Sequence, residues 1–354
     1  MSRKSSTCCI CCYKTKVIKN KMSHNPKLSV YIVTLKPKKE QNFKTYRDFL
    51  REKYHADSST TDAELLQNLL QSFVDGVGQD KFYKDDKSKK VIGVDDGGIL
   101  PLALDSEQWF FDGVIEGGKY GLLREFADTE KKREKQVIPA SNAVLDKYYI
   151  LLNPILNDSY AILLVQSYTE ESVQTSITTL MRELFGGSDN FYKVQIEPFV
   201  PKRFKDKYKA SAAVRMFSFT APFYLSDSLR GSVPEANQEF EVEIRIKPKK
   251  QDMPIFSPGT AEVMEACSEK MFDNQSLGEG RRRVFVIDEL GRNAHYDISK
   301  DIQSIRPTIY LSDEGISSDT ASGIPYFADI RKFCRRLLQE VRKEIDLNQD
   351  IDEF

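Results

Sequence analysis

Histidine is scarce in this chain: His24, His55 and His295 are the only three among its 354 residues. A mechanism that places two imidazoles in one site therefore has few ways to be built. The chain also has no GxxxxGK[ST] loop, no GxGxxG at a strand-to-helix turn, no HExxH and no GxSxG. The phosphate-cradling, dinucleotide, zinc-protease and serine-hydrolase chemistries that depend on those spacings are excluded in their motif-bearing forms. Long apolar runs are missing as well, since none reaches the roughly 18 residues of a membrane span. The most apolar stretch, residues 148–165, is interrupted by Asn153, Pro154, Asn157 and Asp158 and reads as two strands. The basic amino terminus lacks the apolar segment of about 7 to 15 residues that a secretory signal needs, so a cytoplasmic location is expected.

Cysteine is almost confined to one place. Cys8, Cys9, Cys11 and Cys12 crowd into SSTCCICCYKTK, and only Cys267 and Cys334 occur elsewhere. The Cys8 to Cys11 and Cys9 to Cys12 spacings are each half of a zinc site, but no second pair follows to complete four ligands. Acylation beside a basic run is a second reading, since an acyl chain and cations together hold a membrane surface. The third fits the rest of the chain best. Everything before Met22 is short, basic and without a packing pattern, so residues 1–24 are expected to be a tail and the folded part to begin at Met22 or slightly after. Cys267 and Cys334 sit among apolar neighbours at helical spacing and are expected to be small buried hydrophobes, not nucleophiles.

What the chain has in quantity is apolar and charged material: 40% hydrophobic, 11% aromatic and 30% charged residues. That is enough for real cores under an ordinary soluble surface, and the length suits two domains of about 100 to 200 residues. A net charge of −1 conceals an uneven distribution. Residues 1–39 carry ten cations and no acid; residues 40–190 carry 17 cations and 26 acids; residues 191–343 carry 25 cations and 22 acids. Five carboxylates close the chain in EIDLNQDIDEF. Such an asymmetry lets a basic face approach a polyanion, although unrelated domains also differ by this much.

The periodicities predict the elements. PKLSVYIVTLK is apolar on both faces, with Val30 and Ile32 opposed to Tyr31, Val33 and Leu35, as a central strand requires. Phe43, Tyr46, Phe49, Leu50 and Tyr54 recur at helical spacing. Thr61 to Glu64 is a capping box opening a helix striped with Leu65, Leu66, Leu69, Leu70 and Phe73, with Gly76 and Gly78 as its stop. Hairpins are expected at Asp95 to Gly98, at Gly117-Gly118 and at Asn157 to Ser159. Thr169 is expected to cap a helix striped with Val173, Ile177, Leu180, Met181 and Leu184 and ended at Gly186-Gly187. Beyond it come the strands FYKVQIEPF, AVRMFSFTAPF and EFEVEIRIKP, a short basic helix from Pro201, and a helix over 261–272. A hairpin around Gly291 to Asn293 and an amphipathic helix with Ile330, Phe333, Cys334, Leu337, Leu338 and Val341 on one face complete the pattern. No repeat of fixed period stands out. The expected architecture is α+β in two mixed domains, residues 25–188 and 189–345, each an antiparallel or mixed sheet carrying helices, with an acidic tail over 346–354.

Two chemistries compete for the surface. Glu241 and Glu243 share one face of a strand that Arg245 and Lys247 continue. A metal-dependent nuclease needs two or three acids around its cation, which makes that pair a candidate, but the acid-x-lysine spacing is absent and alternating charges on a solvated face explain the row as well. The stronger indication is basic and aromatic interleaving. Lys202, Arg203, Lys205, Lys207 and Lys209 alternate with Phe204 and Tyr208; Lys247, Lys249, Lys250, the triplet Arg281, Arg282 and Arg283, and then Arg331, Lys332, Arg335 and Arg336 add further cations. Phosphates need such cations, and single strands add stacking on aromatic rings. The opposing reading is that Phe204 and Tyr208, four apart on a helix, anchor it to the core while interspersed acids neutralise its surface.

The order YYILLNPILNDSYAILLV, capped helix, VQIEPFVPKRF, long strand and late VFVIDELGRNAHYDI hairpin resembles poorly characterised bacterial proteins encoded in phage-defence and mobile-element loci. The resemblance spans residues 28–341 as architecture. It implies a defence-associated protein that senses or binds nucleic acid. The expectation is thus a non-enzymatic nucleic-acid-binding or sensing protein acting through Lys202, Arg203, Lys205, Lys207, Lys247, Lys249, Arg281, Arg282 and Arg283, with no catalytic residue, metal ligand or cofactor assigned. The alternatives are a metal-dependent nuclease or phosphodiesterase and a protein-interaction subunit, with a protein partner or self-association in that last reading.

Overall fold

The computed structural model describes residues 25–37, 45–95, 97–127, 130–131, 134–186, 192–223, 240–250, 253–254, 258–271, 281–297 and 306–352. The cysteine cluster and Phe43 lie outside them, as do the side chains of the last residues. The fold is α+β, built from antiparallel sheets with helices packed on them.

Strand β1 (Lys27–Pro37) is central, as its two apolar faces require. It pairs antiparallel with β9 (Tyr160–Ser167) on one side and with β10 (Tyr192–Phe199) on the other. From β9 the sheet continues through β8 (Val144–Pro154), β5 (Phe110–Lys119) and β3 (Lys90–Val94) to β2 (Tyr83–Asp85), while β4 (Ala103–Asp105) pairs with β5 and β15 (Ile309–Tyr310) with β1. Successive residues of β8 enter different cores. Tyr148, Ile150 and Leu152 join one, and Tyr149 and Leu151 join the other. The sheet is therefore covered on both faces, which is why its middle strands read as continuous apolar runs.

One face carries α1 (Tyr46–Lys53), α2 (Asp62–Val77) and α3 (Gln174–Gly186) through Phe49, Leu66, Phe73, Ile177 and Phe185. Thr61 caps α2 reciprocally with Glu64, and Gly78 ends it at φ +97°. Gly76 is not a stop. It lies inside α2, where a Cβ would stand 3.0 Å from Leu180, so it sets how closely α3 can approach. Helix α3 begins at Gln174, later than the expected cap: the Thr169 hydroxyl instead donates to the Asn25 carbonyl at 3.2 Å, and Ser172 Oγ accepts from the Gln174 amide. The other face carries α4 (Lys202–Ser211), the 3-10 turn Leu311–Glu314 and α6 (Phe327–Asp352), whose Ile330, Phe333, Cys334, Leu337, Leu338 and Val341 are all buried as the periodicity predicts.

Three expectations are corrected here. The boundary between 188 and 189 falls inside the main sheet: β10 pairs with β1 from Val30 opposite Phe199 to Pro37 opposite Tyr192, and α6 packs on strands of the first half. A glycine pair ends a helix without ending a sheet, and β10, whose Pro198 suits an edge, closes the flank of β1. Gly117 and Gly118 make no hairpin but lie within β5, where a Cβ on Gly118 would meet the Val144 carbonyl oxygen at 1.7 Å. Glycine marks a close backbone approach there. The Asp95 to Gly98 segment turns without pairing its flanks; β3 and β4 both pair with β5, and the buried Asp95 carboxylate accepts from Lys147 at 2.5 Å and from the Gly97 amide.

A second, four-stranded sheet in the order β12 (Phe240–Ile246), β11 (Ala213–Phe223), β13 (Arg281–Ile287) and β14 (Asn293–Asp297) has its own core of Val214, Phe217, Phe219, Val284 and Val286. Helix α5 (Pro258–Met271) covers that core through Met264. Cys267 packs beside it half-buried, and Cys334 is buried, where burial pushes the thiol well above its ordinary value and away from the thiolate a nucleophile needs.

Candidate nucleic-acid interface

The second sheet has one face under α5 and another that no described element covers. Which residues lie on which face follows from the period of two and from the register. Val284 and Val286 point into the core, so Arg283 and Phe285 point to the open side. Phe285 stands opposite Met216 on one neighbour and His295 on the other; Arg283 stands opposite Ser218 and Asp297; Arg245 stands opposite Ser218 from the far strand. The open face thus holds an apolar and aromatic row, Met216, Phe285 and His295, beside a polar row, Arg245, Arg283 and Asp297, that encloses the buried Ser218.

Phe285 and His295 are in ring contact, with centroids 5.7 Å apart and planes 31° from parallel. The imidazole is exposed and the phenyl ring half-buried, so a second planar group can reach them. In the adjoining row Arg245 Nη2 donates to Glu243 at 2.8 Å, and Ser218 Oγ donates to the same carboxylate at 2.7 Å. Those two hydrogen bonds, with the nearby charges of Arg245 and Arg283, hold the Glu243 carboxyl below its ordinary value. Arg283 forms no ion pair among the described residues. Lys247 and Lys249 follow the end of β12 and are exposed.

The expected cations are therefore sorted by the fold. Arg283, Lys247 and Lys249 belong to the open face or its edge. Arg282, opposite the buried Phe219, has the parity of the helix-covered face, because a run of three on a strand must alternate. The side chain of Arg281 lies outside the described residues. The basic helix α4 is elsewhere. Phe204 is buried against the main sheet, and Tyr208 packs against the second core, its phenolic oxygen accepting from Tyr296 at 3.0 Å. Burial raises the Tyr208 phenol far above its usual range, and the ring makes an edge contact with Tyr296 at 6.0 Å between centroids. Two of the α4 cations are met by acids: Arg203 pairs with Glu314 at 3.0 Å and Glu340 at 2.7 Å, and Lys207 with Glu314 at 3.7 Å. Lys202 and Lys205 lie on this same helix, and the Lys202 amide is taken by Glu344 at 2.6 Å. The α4 group lies apart from this face: through Phe204 and Tyr208 it joins the cores of the two sheets. Arg331 and Arg335 likewise turn inward, to Asp112 and Asp105.

Among the described residues the nuclease candidates do not assemble a centre. Glu241 and Glu243 are exposed, Glu243 is held by Arg245 and Ser218, and among the described residues no group of three His, Cys, Asp or Glu side chains could hold a metal ion. Phe285 and His295 are the residues that sequence reasoning missed. Their signal was present, since the hairpin around Gly291 places them opposite one another. Among the described residues no helix is long and apolar enough to cross a membrane. Comparison with protein-family models, curated proteins and solved structures finds no match for this chain.

Proposed function

We propose that the chain binds single-stranded nucleic acid on the open face of the second sheet. The observation that carries this reading is the solvent-reached Phe285 and His295 ring pair with Arg283, which makes no ion pair among the described residues, in the next row. A base stacked on such a ring contributes about 1–3 kcal/mol, and a backbone following the polar row meets Arg283 and then Lys247 and Lys249 at the sheet edge. Single strands suit the surface better than duplex, whose bases are already stacked. A role in sensing foreign nucleic acid, the setting implied by the resemblance to defence-locus proteins, would use the same face.

Fluorescence anisotropy with a labelled single-stranded oligonucleotide tests the proposal. Affinity is expected to fall as salt rises, by roughly 0.7 in the log–log slope per phosphate contact. Phe285→Ala is expected to weaken binding about tenfold, and Arg283→Glu to weaken it and flatten the salt slope. Salt-independent binding, or full affinity in Phe285→Ala, rules the face out.

A second reading, self-association, is favoured by one feature. The ribbon of β6 (Arg124–Ala127) and β7 (Lys135–Ile138) and the turn before it expose Leu122, Leu123, Phe126 and Val137, each more than half accessible. The register sets Val137 opposite Glu125 and Phe126 opposite Gln136, so both faces of the ribbon expose apolar side chains of the kind found at contact surfaces. Sedimentation velocity of the wild type and of Leu123→Ser with Phe126→Ser decides it; a monomer at every concentration removes this reading.

A further inference from the structure

On the main sheet, away from the second one, a cavity of about 250 Å³ opens between the β8–β9 loop, α1, α2 and α6. Its chemistry is set by Arg47, Asp62, Trp109, Tyr160, Arg342 and Asp346. Arg47 is already committed, forming two 2.8 Å bonds to Asp62 and a third to Asn157. Arg342 is different. Its Nε donates to the Asn153 side-chain oxygen at 2.9 Å and its Nη2 to the Gln108 carbonyl at 3.0 Å, both neutral acceptors. Asp346, one turn further along α6, accepts from the Tyr160 hydroxyl at 3.2 Å, and no ion pair joins it to Arg342. Burial pulls the guanidinium below its ordinary value, against the opposing pull of the Tyr160 hydroxyl and the Asp346 carboxylate nearby.

Trp109, the only tryptophan in the chain, lines the same cavity and is 38% exposed. It closes the β4–β5 turn at φ +61°, a backbone region where a bulky side chain is uncommon. The turn is held from below by Asn153, whose amide nitrogen donates to the Trp109 carbonyl at 2.6 Å while its oxygen receives Arg342. Asn153 thus couples the indole and the guanidinium. The turn between β2 and β3 has the same form, with Lys89 at φ +55°, so the conformation belongs to the turn and the indole is the distinguishing choice.

We infer that this cavity is a binding site for a small planar anion, its ring against Trp109 and its charge on Arg342. The volume allows one aromatic ring system and one anionic group. A nucleoside 5′-monophosphate and an aromatic carboxylate share that chemistry.

Trp109 fluorescence reads the site directly because no other indole contributes. Titration of the full chain with adenosine monophosphate and, separately, with naphthoate is expected to give a saturable change for one of them and so to tell phosphate from carboxylate. Adenosine, or naphthalene methanol, which lack the charge, should bind at least about tenfold more weakly. Arg342→Gln should weaken the charged ligand by a similar factor. If that variant fails to fold, Trp109→Gly supplies the test by calorimetry, since glycine accepts the positive φ without strain; it should lose roughly tenfold in affinity without a lowered melting temperature. No saturable change with either anion, equal binding of the uncharged compounds, or full affinity in Trp109→Gly overturns the inference.

Discussion

Replacing Asp112 by alanine probes the contact that fastens α6 to the main sheet. Asp112 is the third residue of β5 and is fully buried. Its carboxylate accepts two bonds from the Arg331 fork, at 2.9 and 2.8 Å, one from the Tyr149 hydroxyl at 2.7 Å and a longer contact from Arg335 at 3.5 Å. Burial raises the Tyr149 phenol far above its usual range, so it stays a neutral donor. Charge-assisted bonds contribute about 1.5–3 kcal/mol each, but desolvating the carboxylate and two guanidinium groups offsets much of that sum. Removing the carboxylate alone keeps the cationic desolvation and discards the attraction, which costs about 3–5 kcal/mol for a buried pair. Arg331 and Arg335 are 30% and 31% exposed, so water recovers part of the loss, and Arg335 keeps Asp105 at 3.3 Å. The expected destabilisation is therefore near the lower end, about 3 kcal/mol. Urea unfolding with an unchanged m-value measures it, and hydrogen exchange should show α6 opening first. The double replacement Asp112→Leu with Arg331→Met is expected to recover part of that loss, because the Arg331 desolvation disappears with the pair while the buried Tyr149 hydroxyl still lacks its acceptor. A loss under about 1 kcal/mol in Asp112→Ala, or a double variant as unstable as the single one, would refute the reasoning.

Other outcomes follow from the same structure. Gly118→Ala puts a methyl group where the Val144 carbonyl oxygen stands and should destabilise by about 3 kcal/mol or more, seen as a lowered urea midpoint; a neutral effect would mean that β5 and β8 separate freely. Leu337→Ala, at a fully buried position on α6, should lose about 2–5 kcal/mol in the same assay. Thr61→Ala removes one partner of the α2 capping box and should lose about 1 kcal/mol. The Arg47 hydrogen bond holds the Asp62 carboxyl below its ordinary 3.8, and the Ser88 hydroxyl does the same for Asp85. A depressed folded value means that the unfolded chain takes up protons first, so this stability is present above about pH 4 and is lost as pH falls through the folded values. Urea midpoints from pH 6 to pH 2 should be level and then decline, and the decline should be shallower in Asp62→Asn; the same slope in both would exclude Asp62 as a source.

The periodicities of this chain determined most of its elements. Residues 30–35 already carry the two-faced pattern of a central strand, residues 61–64 a helix start, and residues 330–341 the buried stripe of α6, because each signal is local and sits in side chains a few positions apart. The hairpin around Gly291 was legible for the same reason, and with it the register that sets Phe285 beside His295. Pairing over long separations was not. Nothing near residue 188 announces that β10 lies against β1, since a strand edge has no sequence of its own and is satisfied by whichever backbone reaches it. Nor could composition tell Arg203, consumed by Glu314 and Glu340, from Arg283, which faces open sheet. The charge of a side chain is a property of sequence; whether that charge is already neutralised depends on which distant carboxylate the fold brings within about 4 Å. The cavity under Trp109 shows the same division. Its indole, its guanidinium and the asparagine that couples them come from residues 109, 342 and 153, and only the packing of α6 on the sheet makes them neighbours.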